Sequence, residues 1–154
     1  AMKSMKKTEK CLRVALATVR FDNVPKTVIS NCLSRCHVPH SRDILDYEYS
    51  IRRNLDIESF SLFLKADLEG WLGVEIRRLH ACGLHPVLYV GFYSRTLEFL
   101  NVRVGEETVD RLAKEGQSIR FSFDSVNNKR QIVISIPNEF ISMIAKFHFT
   151  LELS

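Results

Sequence analysis

The final stretch of the chain, KFHFTLEL, alternates without a break: Phe147, Phe149, Leu151 and Leu153 fall on one side, Lys146, His148, Thr150 and Glu152 on the other. A period of two is the mark of a strand with one wet face, so His148 reads as a solvated strand residue. The same rhythm recurs upstream. In SIRFSFDSVNNKRQIVISIP, Ile119, Phe121 and Phe123 alternate, Asn127 and Asn128 supply a tight turn, and Ile132, Ile134 and Ile136 alternate back. That is a hairpin, because asparagine tolerates the left-handed backbone such turns need.

Further runs read the same way. CLRVALATVRF (11–21), DYEYSIRR (46–53), PVLYVGFYSR (86–95) and LEFLNVRV (97–104) are rich in β-branched and aromatic residues. SFSLFLKA (59–66) alternates Phe60, Leu62 and Leu64, and WLGVEIRRL (71–79) alternates Leu72, Val74 and Ile76. With DLEG between them as a turn, this pair predicts a second hairpin, in which Trp71 opens a strand and belongs to the core.

Helices form the minority in this reading. EETVDRLAKEG has acids in its first turn, an apolar stripe of Val109, Leu112 and Ala113, and Gly116 placed as a C-terminal cap. VPKTVISNCLSRC predicts a second helix starting near Pro25, and NEFISMIA a short helical turn after Pro137. The sum is a mainly β fold, an antiparallel β-sandwich of about eight strands with one or two short helices.

Length and charge bound what such a domain does. The chain has 154 residues, 45% of them apolar, which suits one domain with its own core. Its net charge of +4 is concentrated at the start. Lys3, Lys6, Lys7 and Lys10 against Glu9 leave about +1 for the rest, so residues 1–10 read as a basic flexible tail and 11–154 as the folded unit. No apolar run reaches membrane-spanning length and no signal segment follows the basic start. The expectation is a cytoplasmic or nuclear protein with reduced thiols.

NCLSRCHVPH and HACGLH gather cysteines and histidines. On a helix Cys32 and Cys36 would face one way, and His80, Cys82 or His85 could complete a tetrahedral zinc site. The spacing matches no finger or ribbon pattern, however, and Cys32 and Cys36 continue the stripe of Val24 and Val28, so they read as core residues, with no metal and no cofactor.

A nucleophile elbow, a P-loop, a dinucleotide glycine fingerprint and a zinc-protease helix are all missing, so the reading is non-enzymatic. Surface then carries the function. In PVLYVGFYSR, Leu88, Val90 and Phe92 share one face, leaving Tyr89, Tyr93 and Arg95 on the other beside Gly91. Tyr and Arg dominate interface hot spots, which makes these three the candidate partner contacts.

EYSIRRNLDIESFSLFLKADLEGWLGVEIRRL, together with VRFDNVPK before it, resembles the middle of a meprin and TRAF-homology (MATH) domain over residues 18–79. The gap from Asp22 to Tyr47 is longer than in that family, and the GEETVDRLAKEG helix departs from its usual end. The resemblance implies an eight-stranded sandwich that binds short peptides, often as an adaptor or substrate receptor. The expectation is therefore a protein-interaction module that takes an extended peptide segment of another protein, with no membrane role. Two alternatives stay open: a nucleic-acid binder using the N-terminal lysines and aromatic strands, and a zinc-stabilised structural domain.

Overall fold

The computed structural model describes residues 8–21, 27, 40–41, 44–49, 55–92, 101–124 and 130–154. Nine strands among them form two sheets. The larger runs in the order β3 (His40–Ser41), β4 (Ile44–Tyr49), β2 (Val14–Phe21), β5 (Val87–Phe92), β9 (Thr150–Leu153), β6 (Val102–Val104). The smaller runs β1 (Thr8–Cys11), β8 (Arg130–Ile136), β7 (Ile119–Asp124). Two pairings are parallel, β1 with β8 and β5 with β9; the rest are antiparallel.

Four helices stand fully within the described residues: α1 (Ile57–Glu69), α2 (Trp71–Ala81), α3 (Glu106–Lys114) and α4 (Asn138–Ala145). Their buried side chains join those of β2, β5, β8 and β9 in one apolar cluster. The fold is therefore mixed α and β, and the eight-stranded antiparallel sandwich expected from the sequence is not what the chain adopts. The fold that the MATH resemblance implies falls with it, since two of the segments quoted for that resemblance are helical.

The correction turns on residues 57–81. Phe60, Leu64 and Leu68, then Leu72, Ile76 and Leu79, are buried at intervals of four and three, which is the stripe of a helix. Leu62 and Val74, which a two-residue period would bury, are 69% and 65% exposed. Asp56 starts α1 as a cap, its carboxylate accepting from the Ser59 N–H at 2.7 Å. Gly70 alone separates α1 from α2. Where a third helix-forming feature decides the matter is Gly73: a Cβ there would lie 1.8 Å from the Leu68 carbonyl oxygen, so only glycine lets the start of α2 fold this closely against α1.

The other expectations fare differently. The hairpin of β7 and β8 pairs Ile119 with Ile136, Phe121 with Ile134 and Phe123 with Ile132. The helix at 106–114, the helix after Pro137 and the strand at 87–92 stand where the sequence places them. The run 11–21 divides, with β1 ending at Cys11 and β2 beginning at Val14. Residues 8–10 of the expected flexible tail belong to β1 and pair in parallel with β8. The last strand is shorter than KFHFTLEL, because 146–148 make a turn. The predicted helix around Pro25–Cys36, with its Cys32 and Cys36, lies outside the described residues, apart from Thr27.

Candidate functional site

Three of the helices end in the same device. After α2, the Gly83 N–H donates to the His80 carbonyl (2.9 Å) and the Leu84 N–H to that of Leu79 (3.1 Å). After α3, Gly116 and Gln117 repeat the pair on Ala113 (3.3 Å) and Leu112 (2.9 Å). These are Schellman motifs, and their pivots, Gly83 at φ 86° and Gly116 at φ 67°, occupy the left-handed region that glycine enters freely. After α4 the pivot is His148 at φ 61°, its N–H donating to the Ala145 carbonyl (3.1 Å) while Phe149 donates to that of Ile144 (3.3 Å). Among the described residues it is the one non-glycine with a positive φ.

That pivot places an imidazole where a strand residue was expected. The His148 ring stacks on the His80 ring, centroids 4.1 Å apart and planes within 3°. His80 comes from the last turn of α2. His85, five residues on and held extended by Pro86, meets His80 edge-on at 5.1 Å. Glu106, the first residue of α3, closes the group: its Oε2 lies 2.7 Å from His85 Nδ1 and its Oε1 3.4 Å from His148 Nδ1. One ligand atom from each of His80, His85 and Glu106 lies within 4.8 Å of the other two. Burial pushes the His80 imidazole below its ordinary pKa, the neighbouring His148 and His85 rings add to that, and Glu106 opposes them.

The sequence brings His80 and His85 together on its own. It gives no hint of Glu106 and His148, which arrive through the packing of α3 and α4. A signal for His148 exists in hindsight: it follows a helix at the position where α2 and α3 have glycine. Cys82, offered by the sequence as a possible zinc ligand, is neither within this group nor buried, and Cys11 is exposed too.

A second feature lies on α1 and α2. Leu62, Val74, Phe63 (58%) and Trp71 (56%) are large apolar side chains that are more than half exposed, so Trp71 is not the core residue that its place in the sequence suggested. Leu62 and Val74 line an open groove of about 820 Å³ that continues along α4 past Met143. Lys65, Arg77 and Lys146 stand along it with Glu69 and Glu139.

Of the expected partner contacts, Tyr89 alone is among the described residues. Tyr89 lies in central strand β5, between Thr18 of β2 and Glu152 of β9, half-buried with the Arg20 guanidinium 5.0 Å over its ring. Its face of the sheet also carries the Arg103–Glu152 ion pair (2.8 Å). Tyr93 and Arg95 lie outside the described residues.

No family model, curated protein or solved structure matches the chain. Among the described residues no helix is long and apolar enough to cross a membrane.

Proposed function

We propose that this chain is a protein-interaction domain that docks an apolar peptide segment of a partner protein against α1 and α2. The observation that carries the reading is the exposure of Leu62, Phe63, Trp71 and Val74 on two consecutive helices. Scattered single exposures are ordinary on a soluble protein, whereas several large apolar side chains on one helical pair mark an interaction surface. Tryptophan is also the residue type most enriched among binding hot spots.

The groove gives the reading its selectivity. Three cations, Lys65, Arg77 and Lys146, line it with two carboxylates, Glu69 and Glu139, so a segment with apolar anchors and acidic flanks fits it best. Arg77 already lies 5.0 Å over the Phe147 ring, which fixes its position beside the groove.

The test is capture from lysate with the wild type beside Leu62→Asp combined with Val74→Asp, and with Tyr89→Ala as a comparison in the sheet. The double variant is expected to lose the partners held by the wild type, a loss of about 2 kcal/mol or more of binding free energy, with stability changed by less than about 0.5 kcal/mol because both side chains are exposed. Full retention of every partner by the double variant, with loss in Tyr89→Ala, would return the surface to the sheet.

A further inference from the structure

We propose that His80, His85 and Glu106 form a binding site for a divalent transition-metal ion of the zinc class, with His148 as the residue that positions Glu106. Two nitrogens and a carboxylate are a known donor set for zinc, and imidazole favours zinc and its neighbours over the hard cations. Donors about 2.1 Å from a tetrahedral ion stand about 3.4 Å apart. The observed separations bracket that figure, from 2.7 Å between His85 and Glu106 to the 4.8 Å limit of the group. His80 is half-buried under the His148 ring, so it is rotation of the exposed His85 side chain that closes the set.

The strained backbone at His148 is an independent pointer. The described residues hold three copies of one turn, and two use glycine where it is cheapest. The third holds a histidine in the left-handed region, which a residue with a Cβ enters only under strain, and that histidine faces the same carboxylate and stacks on a ligand ring. Strain kept at one position points to a task performed there. Here the task is to hold Glu106 by its Oε1 while Oε2 faces the ion, the outer-shell role that keeps metal ligands aimed. An ion so held joins the end of α2, the entry to β5 and the start of α3, so it raises the melting temperature whenever it is bound.

Cys82 supplies the internal control, since it lies between the two histidines in sequence but outside the group in space. The full chain, stripped with chelator, is titrated with zinc sulfate by calorimetry alongside Glu106→Gln, His85→Ala, Cys82→Ser and His148→Gly. One ion per chain is expected, with Cys82→Ser unchanged and Glu106→Gln and His85→Ala each weakened by about tenfold or more. His148→Gly should also bind about tenfold more weakly, yet melt about 2 °C higher than the wild type in chelator. A His148 with only a structural part in the turn would leave zinc affinity untouched. Cobalt(II) loading of the wild type does not depend on how any variant folds, and it should give a spectrum without sulfur-to-metal charge transfer. The proposal is overturned by wild-type protein that takes up no zinc, by unchanged affinity in both Glu106→Gln and His85→Ala, or by a cobalt spectrum showing thiolate ligation.

Discussion

Asp67 sits partly covered near the end of α1, and burial pushes its carboxyl above the ordinary value of 3.8, although a hydrogen bond from the Trp71 side chain acts the other way. A raised folded-state value means that the native chain holds the proton more tightly than the unfolded chain, so the charge opposes folding above that value and the penalty fades as pH falls toward 3.8. Asp67→Asn keeps a carbonyl to accept from Trp71 and removes the charge. It should be more stable than the wild type at pH 7, with the difference closing as pH approaches 4 in chemical denaturation at a series of pH values. A difference that stays constant across that range would mean that burial of the charge is not what perturbs Asp67. His148 makes the complementary point at the same scale: a single backbone angle, φ 61°, decides that its ring leaves the strand face and joins His80 and Glu106.

The corner between α1 and α2 depends on one missing methyl group. Gly73→Ala would drive a Cβ into the Leu68 carbonyl, with the Phe147 ring only 3.1 Å away as well, and the backbone carbonyl cannot yield cheaply. Denaturant titration should show a loss of about 1–3 kcal/mol, the usual cost of forcing extra volume into a packed site. A loss under about 0.5 kcal/mol would contradict the close approach. This corner is also where the sequence misleads. Phe60, Leu62 and Leu64 satisfy a period of two, and Phe60 and Leu64 alone satisfy a period of four; Leu72, Val74 and Ile76 repeat the ambiguity. The tie is broken by Leu68 and Leu79, which extend the four-residue stripe, and by Asp56 as a cap. In β7 and β8 the intervals of four between Ile119 and Phe123 and between Ile132 and Ile136 carry the same ambiguity, but Asn127 and Asn128 set a hairpin signal between the two runs, and that pairing is the one the chain adopts. In α3, the acidic start, the apolar stripe and Gly116 agreed with one another, and the helix stands there. The histidine site was half legible, because His80 and His85 are neighbours in sequence whereas Glu106 comes from the start of α3 and His148 from the turn after α4.

At the scale of the molecule, the parallel pairing of β5 with β9 ties residues 87–90 to 150–153, and the β2 strand pairs with β5 on its other side. Such long-range contacts leave no trace in local periodicity, which is why a meander of hairpins was the simpler reading of the same strands. With the core built from both sheets and the helices, the apolar side chains left outside on α1 and α2 become the informative surface. Trp71, exposed at the start of α2 and three residues before the groove residue Val74, reports on docking without labelling, because it is the one tryptophan in the chain. Its fluorescence in the free protein should be red-shifted and open to quenching by acrylamide, and it should move to the blue and become protected when a partner peptide docks. A blue, protected Trp71 in the free chain would contradict both the helical corner and the docking face assigned to it.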